Sequence, residues 1–364
     1  MAVRPLAEAD IPQVVDLYWK YMRKREGSAP PALRTTFHNL YFINPFVDPA
    51  FPPLVYEDKG GKIVGFLGTV VRKMNLCGEP IRVAFGGNLV VHPDSRSHLA
   101  APRLLGTFMA GNQDLSLTDS ANDLSRKLIE RLGFHAVPAL NIHWARPLRP
   151  SHYLVYALSR ATGPAVATTL KIVSKPFCAV ADGLAARLSF SPFRQTTPAL
   201  QGAEADVETL LQCQVEFRQT YSLWPEYDAQ SLKWLLNFMD HMPVRGDLRK
   251  IVLRDAQQKI VGWYIYYVKR GAIGEVVQVG GNPKSTKNIL DHLFHDARQQ
   301  GVIGLHGVVD SRRMADFSDK NCLFTCRGGW SMAHSRNLEL LDVLDRGAGF
   351  LSRLDGEWCL DPGE

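Results

Sequence analysis

The feature that most constrains the fold is an internal duplication, in which five stretches of the first half of the chain recur in the second half in the same order. The offsets are roughly 190–197 residues, and the elements recur in register as well as in type. One such match would mean little, but five in order indicate two tandem copies of one αβ unit. The matched pairs are Glu8–Ile11 with Glu204–Val207, Leu54–Phe66 with Ile251–Trp263, Ile81–Pro93 with Val276–Pro283, Asp94–Gly111 with Lys284–Gly301, and Leu115–Ser120 with His306–Ser311.

The spacing of apolar residues predicts the elements of the first copy. Helical spacing predicts helices over 11–21, over a stretch that ends at Gly111, and over 122–132, where Gly133 ends the helix. Strand patterns cover 3–6, 54–56, 62–71, 81–91, 115–118 and 134–144. We therefore expect an α/β protein with domain 1 over residues 1–149, a linker over 150–201 and domain 2 over 202–364.

Charge and cysteine content restrict the class of protein. The formal net charge of +6 and the pI near 9.0 suit acidic ligands such as CoA phosphates, an anionic membrane surface or RNA. No block of like charges indicates a specific nucleic-acid partner. The six cysteines form no C-x-x-C pair and lack clustered histidines, so we expect a reduced, cytoplasmic protein without a metal site. The N-terminus has no signal-peptide pattern.

The segment 150–201 differs in composition from both copies. It contains one acid, Asp182, against five cations, and it is otherwise rich in Ala, Leu, Val and Phe. One interpretation is a pair of helices packed between or across the domains. The other is a basic amphipathic segment that contacts a membrane surface peripherally. The cations are Arg160, Lys171, Lys175, Arg187 and Arg194.

The stretch Asn88–Gly111 has the pattern of an anion-binding strand, loop and helix. An apolar run ends at Val91, a polar loop follows, and Leu104, Leu105 and Phe108 then lie on one helical face. Unpaired amides at the start of a helix, together with its dipole, favour a bound anion such as a pyrophosphate. The alternative is an ordinary connection between a strand and a helix.

These residues resemble the GNAT acyltransferase superfamily. The order of elements is that family's order, Arg96–Ala101 occupies its R-x-x-G-x-G/A loop, and Leu132-Gly133-Phe134 matches the end of its later helix. Leu99 stands where the central glycine is usual, which is a departure from the pattern. The resemblance implies two tandem GNAT-like domains, each a mixed, mostly antiparallel sheet flanked by helices. It also implies acetyl-CoA or another acyl-CoA as co-substrate, and no metal.

The resemblance further implies where the acyl-CoA would bind. Backbone amides where the fourth and fifth strands separate would hold the thioester and pantetheine, and the loop with the helix start would hold the pyrophosphate. The thioester positions are Leu89, Val90 and Val91, and the pyrophosphate positions are Arg96, Ser97, His98, Leu99, Ala100 and Ala101.

Three residues are candidates for catalysis. Asn88 stands near the place where the family commonly has a carboxylate base, but an amide is not a base. His92 and Asp119 are the nearest titratable groups and can relay a proton through water. Each also has a structural explanation, His92 as a strand-end residue and Asp119 as a cap of the next helix. The position of the family's proton-donating tyrosine holds Leu128 or Ile129.

The second copy carries its own polar loop, Gly280–Lys287, before the equivalent helix. Its glycines, lysines and hydroxyls suit either a phosphate site or a solvated helix cap. Glu275 is a further candidate base, and Asp310 is the counterpart of Asp119.

The sequence therefore favours an N-acyltransferase that moves an acetyl or other acyl group from acyl-CoA to an amine of a small molecule or amino sugar. One alternative is a Fem-type transferase, which would use aminoacyl-tRNA and is similar in its two tandem units. A second alternative is a non-catalytic, degenerate GNAT-like binding module, because the loop glycine and the tyrosine are both absent.

Overall fold

The computed structural model describes residues 2–162, 164–242, 244–326 and 329–361, without the side chains of 96–98, 164, 165, 167 and 170–172. The strands are β1 (Ala2–Pro5), β2 (Leu54–Glu57), β3 (Ile63–Leu76), β4 (Glu79–Val91), β5 (Leu115–Ala121), β6 (His135–Ala136), β7 (His143–Pro147), β8 (Gln201–Glu204), β9 (Leu223–Pro225), β10 (Asp247–Arg254), β11 (Ile260–Val268), β12 (Ile273–Gly281), β13 (Gly304–Val308), β14 (Leu323–Thr325) and β15 (Trp330–His334). The helices are α1 (Ile11–Leu17), α2 (Pro31–His38), α3 (Ala100–Met109), α4 (Asp123–Glu130), α5 (Pro150–Arg160), α6 (Pro164–Arg187), α7 (Val207–Phe217), α8 (Ala229–Asp240), α9 (Thr286–Gln299), α10 (Met314–Asp319) and α11 (Leu338–Asp345).

The chain forms two compact units that are not consecutive in sequence. Unit 1 comprises 1–141, 220–239 and 328–364, and unit 2 comprises 142–219 and 240–327. These units differ from the segments 1–149, 150–201 and 202–364 expected from the repeat. The reason is that each sheet includes a strand from the other half of the sequence: β15 joins the first sheet and β7 joins the second.

Unit 1 is built on a sheet with the strand order β1-β2-β3-β4-β5-β15-β6, and β9 pairs with β3. Neighbours are antiparallel, except that β4 and β5 run parallel. Helix α3 packs its apolar face on the sheet, and Leu104, Leu105 and Phe108 are all buried there, as the helical spacing predicts. A second apolar cluster includes Phe85, Leu115, Leu340 and Leu344.

Unit 2 repeats this plan with the strand order β14-β7-β13-β12-β11-β10-β8. The pair β12–β13 is parallel, in the same place in the order as β4–β5. Its core includes Trp144, Tyr264, Ile289, Leu293 and Phe317. The α/β class, with two mixed and mostly antiparallel sheets flanked by helices, is thereby confirmed.

The single strand expected over 134–144 is wrong. The structure divides it into β6, a 3₁₀ turn over Pro138–Leu140, and β7. Pro138 has no amide hydrogen to donate to a strand partner, so it interrupts the ladder. The preceding helix does end as expected, because Gly133 takes a positive φ of 104°.

Candidate active site

The two central strands of unit 1 separate halfway along their length. Pairing between β4 and β5 covers only Val83–Phe85 and Leu115–Leu117. Beyond it, 86–91 of β4 and 118–121 of β5 continue without pairing to each other. Backbone amides on the β4 edge of such a split have no partner strand, so they are available to a ligand. The separation of the fourth and fifth strands that the family resemblance implies is therefore present.

A bulge in β4 lies at this split. Gly68 of β3 pairs with Gly87 and Phe66 pairs with Val90, so β4 carries one extra residue in the interval. Asn88 takes the left-handed conformation there, with φ of 53°, and its side-chain amide donates a hydrogen bond to the Tyr41 hydroxyl at 2.9 Å. Asn88 therefore fixes the course of the strand, and it has no basic atom to accept a proton.

A cavity of about 120 Å³ occupies the split. Leu89 lines it from β4, Leu105 and Phe108 from α3, and Ser125 and Ile129 from α4. Ile129 is one of the two residues at the position where the family resemblance implies a tyrosine. Glu357, from the far C-terminal part of the chain, also lines the cavity.

Glu357 is held by one oxygen only. Its Oε1 accepts hydrogen bonds from the Thr118 hydroxyl at 2.5 Å and from the Ser120 hydroxyl at 2.6 Å. The same oxygen accepts from the backbone amides of Asp119 and Ser120, at 3.3 and 3.1 Å. Oε2 makes no hydrogen bond within the described part of the chain, and it lies against the Cα of Gly87. A carboxylate with one fixed and one free oxygen can accept a proton at a defined place.

The electrostatics of this carboxylate suit proton transfer. Burial raises the pKa of Glu357, although its four donors act in the opposite direction. A base with a raised pKa binds a proton more readily near neutral pH than an exposed glutamate does. Gly87 is required for this arrangement, because a Cβ at that position would collide with Oε2.

Asp119 is a second carboxylate beside Glu357, although it is not among the residues that line the cavity. It accepts a hydrogen bond from the Trp358 amide at 3.2 Å, and a Cβ on Gly356 would collide with it. Burial and the neighbouring Glu357 raise the pKa of Asp119. It does not cap α4, whose N-cap is Asn122, with a side chain that accepts from Leu124 N and Ser125 N. The structural explanation considered for Asp119 is therefore wrong, and its catalytic role stays a prediction.

Contacts on both sides of Glu357 hold the C-terminal segment in place. Arg72, which is 1% exposed, donates from Nε to the Asp355 carbonyl at 2.9 Å, and the Tyr227 hydroxyl donates to the Asp355 carboxylate at 2.7 Å. Four residues after Glu357, the Asp361 carboxylate accepts from Arg23 and from the Tyr18 hydroxyl. The segment is thus fixed to unit 1 at two points that flank the carboxylate.

Two π-helical turns supply residues to this region. Tyr18–Met22 follows α1 and contributes Met22 to the cavity, and Asn39–Ile43 follows α2 and contributes Tyr41 to the Asn88 contact. π-helical turns in α-helices are frequent at functional sites, because the extra residue changes which side chains face inward.

The predicted pyrophosphate loop leads directly into α3. The backbone of Pro93–His98 forms 3₁₀ turns, while the side chains of Arg96, Ser97 and His98 lie outside the described residues. Leu99 is the N-cap and takes φ of 56°, the left-handed region that glycine favours. Its side chain is 59% exposed and points away from the core. Leu99 thus adopts the left-handed backbone conformation that a glycine would adopt there, and this conformation is strained for a residue with a side chain.

Ala100 and Ala101 form the first turn of α3, so their amides lie at the helix start as predicted. Val90 and Val91 lie on the part of β4 that continues past its pairing with β5. His92 follows β4, and its Nε2 lies 2.9 Å from the Tyr21 hydroxyl. His92 is not among the residues that line the cavity, so its predicted catalytic role has no support from position.

A buried side chain lies beside the equivalent helix start in unit 2. Arg313, which is 4% exposed, donates to the Gly281 carbonyl at 2.7 Å and to the Thr286 hydroxyl at 3.3 Å. Its guanidinium therefore lies beside the start of α9, which is the counterpart of the start of α3 in unit 1. Asp310 caps the following turn through the Arg312 amide and pairs with Arg313, so it has a capping role that Asp119 lacks.

Sequence reasoning missed Glu357 entirely. The residue is 238 positions from Asp119 and belongs to no motif. One signal was present: residues 348–360 contain Phe350, Leu351, Leu354, Trp358 and Leu360, which is too apolar for an exposed tail.

Comparisons with known proteins agree on the fold. No protein-family model matches the chain, and no curated protein matches it. Among solved structures, a probable N-acyltransferase from Enterococcus faecalis V583 is similar with a TM-score of 0.61 and 11% identity, over 93% of this chain and 72% of that one. A GCN5-related N-acetyltransferase from Anabaena variabilis has a TM-score of 0.60 and 11% identity, over 93% and 73%. Saccharomyces cerevisiae N-myristoyltransferase with bound myristoyl-CoA has a TM-score of 0.54 and 12% identity, over 91% and 77%. The fold expected from the repeat is confirmed.

Proposed function

We propose that this chain, which shares the GNAT-type fold of N-acyltransferases, transfers an acetyl or other acyl group from acyl-CoA to an amine of a small molecule or amino sugar. The observation that carries the proposal is the free Oε2 of Glu357, which faces the split between β4 and β5. In a fold shared with N-acyltransferases, a half-anchored carboxylate at this split is suited to deprotonate an attacking amine.

The mechanism follows from what each element can do. The pyrophosphate would lie at the start of α3, where free amides and the helix dipole favour it, and Arg103 of the first turn adds a cation. The thioester would enter the split, and amides of 86–91 would stabilise the oxyanion. The ammonium gives its proton to Glu357 Oε2, the nitrogen attacks the carbonyl, the C–N bond forms, and the C–S bond breaks. The departing thiolate takes the second proton from the attacking nitrogen, CoA leaves as the thiol, and Glu357 releases its proton to solvent.

Unit 1 is the active copy in this proposal. Its cavity lies in the split between β4 and β5, whereas a buried cation, Arg313, lies beside the corresponding helix start of unit 2. The idea of a non-catalytic module therefore applies best to unit 2.

Calorimetry with acetyl-CoA and longer acyl-CoAs, followed by assay of free thiol release with a panel of amines, tests the function. Absence of both binding and amine-dependent thiol release would contradict it.

We also propose that the segment 150–201 contacts an anionic membrane surface. Nine of the nineteen exposed large apolar side chains among the described residues lie here. The only acid, Asp182, is 3% exposed and is used internally, since it accepts from the amides of Ser151 and His152. The outer surface therefore combines apolar groups with cations, as interfacial helices do. The nine are Leu154, Leu158, Val166, Val173, Phe177, Val180, Leu184, Leu188 and Phe190.

Within the described ranges, no helix is long and apolar enough to cross a membrane.

A further inference from the structure

A second cavity, of about 170 Å³, lies within unit 2. Arg146 lines it from β7, Asp291 and Phe294 line it from α9, and Lys320 follows α10. The loop 191–196 after α6 closes the remaining side. The cavity is mostly polar, unlike the one in unit 1, and nothing in the proposed acyl transfer uses it.

Arg146 is a buried cation that forms no ion pair with the residues that the structure describes. It is 4% exposed, and it donates from Nη1 to the Asn321 carbonyl at 3.1 Å and from Nη2 to the Pro192 carbonyl at 2.6 Å. Both acceptors are neutral. Its Nε is buried and has no hydrogen-bond partner among the described residues. Burial lowers the pKa of Arg146, whereas Asp291 acts in the opposite direction, and a guanidinium remains charged in any case. Because the carboxylate of Asp291 already pairs with Lys320, it compensates the charge of Arg146 only in part.

The other charged residues around the cavity add to this excess of positive charge. Lys320 pairs with Asp291 at 2.7 Å, and Lys287 pairs with Asp319 at 2.5 Å. Both carboxylates that line the cavity therefore already have a lysine partner. Arg194 is exposed at the rim and has no ion pair within the described part of the chain. Two arginines are thus left to attract an anion.

The guanidinium of Arg146 is also held in a fixed orientation. The rings of Phe193 and Phe294 lie 5.5 and 5.7 Å from it, and the two carbonyls fix its plane. A planar guanidinium that is already fixed loses little conformational entropy when it binds an oxyanion. Ser191, Gln195 and Thr196 add neutral groups that can donate to further oxygens.

We propose that this cavity of unit 2 is a binding site for a phosphate group, held by Arg146 and Arg194. A phosphate carries up to two charges and several acceptor oxygens, which matches two unpaired arginines and the neighbouring hydroxyl and amide donors better than a neutral ligand does. The phosphate can belong to a small soluble molecule or to a lipid headgroup, since both present the same group.

The soluble source is tested with inorganic phosphate, by calorimetry and thermal unfolding of the full chain against a chloride control at equal ionic strength. Arg194→Gln should weaken phosphate binding about tenfold, because one charge-assisted contact is lost. Arg146→Lys keeps the positive charge but removes the planar guanidinium, so it should weaken phosphate binding by a similar factor. Arg187→Gln is the matched control, since Arg187 is an exposed cation at the end of α6 that does not line the cavity.

The lipid source is tested with phosphatidylcholine vesicles that contain phosphatidic acid. Arg194→Gln and Arg187→Gln each remove one cation of the segment 150–201, so retention that falls further in Arg194→Gln than in Arg187→Gln, with no heat from inorganic phosphate, assigns the same site to a headgroup. If neither arm gives a signal that depends on Arg194, the proposal is overturned. Phosphate binding that is equal in Arg194→Gln, Arg187→Gln and the parent chain likewise overturns it.

Discussion

The Thr118 hydroxyl donates a 2.5 Å hydrogen bond to Glu357 Oε1, although 239 residues separate them in the chain. Thr118 lies where β5 leaves β4, so this bond ties the C-terminal segment to the point where the sheet opens. It leaves Oε2 facing the cavity. The proposed chemistry depends on this relationship.

Replacing the proposed base should abolish most activity without unfolding the protein. We expect Glu357→Gln to lower kcat/KM for amine acylation by about 10²–10⁴-fold, because the amide keeps the shape but cannot accept the proton. Acyl-CoA affinity should change little. Glu79→Gln, at an exposed position of β4, is the control. Equal activity in the two variants would exclude Glu357 as the base.

A methyl group at Gly87 should act through the same carboxylate. We expect Gly87→Ala to reduce activity at least as much as Glu357→Gln does, since its Cβ would displace Oε2. Gly106→Ala is the matched control, because a Cβ there meets open space on α3 and should stabilise the helix by about 0.5–1 kcal/mol. Steady-state kinetics and thermal unfolding distinguish them. Full activity in Gly87→Ala would argue against the arrangement described.

The carboxylate pair should make stability fall as the pH rises. The folded pKa values of Asp119 and Glu357 are raised, so the folded state binds their protons more tightly than the unfolded chain. The pair's contribution to the free energy of unfolding is therefore present below about pH 4 and declines as the pH rises toward the raised values. Asp119→Asn should flatten this decline in urea titrations, whereas Glu79→Gln should leave it unchanged.

The same variant should shift the pH profile of activity. With Asp119→Asn, the negative charge beside Glu357 is removed, so the pKa of Glu357 should fall and the acidic limb of kcat/KM should move to lower pH. An unmoved limb would show that the two carboxylates are not coupled during catalysis.

Restoring glycine at the loop should relieve backbone strain. We expect Leu99→Gly to raise the free energy of unfolding by about 1 kcal/mol and to tighten CoA binding, since the backbone keeps φ near 56° and loses the side chain. Gln258→Gly, at φ of 65° in unit 2, should give the same stability gain with unchanged CoA affinity. Calorimetry measures the affinity of both variants for CoA. Weaker CoA binding by Leu99→Gly would contradict the assignment of the pyrophosphate to this loop.

The apolar face of α6 should govern membrane contact. Phe177→Asp and Val180→Asp replace side chains that are 74% and 66% exposed, so we expect lower retention on vesicles containing phosphatidylserine. Leu338→Asp, at a 76% exposed position of α11, is the control. High salt should weaken retention of the parent chain. Equal retention of all variants would contradict the assignment, as would self-association that depends on Phe177.

The sequence by itself determined the repeated αβ plan, the elements around β4 and α3, and the departure from glycine at Leu99. These depend on local periodicity and on matches in register, which a single chain displays directly. Only the tertiary structure decided the exchange of β7 and β15 between the sheets, the division of 134–144, and the presence of Glu357 beside Asp119. The strand partners of β7 and β15, and the pair of Asp119 and Glu357, are more than a hundred residues apart in the chain. Glu357 reaches Asp119 because the C-terminal segment is held by Arg72, Tyr227 and Arg23, whose contacts no local pattern records.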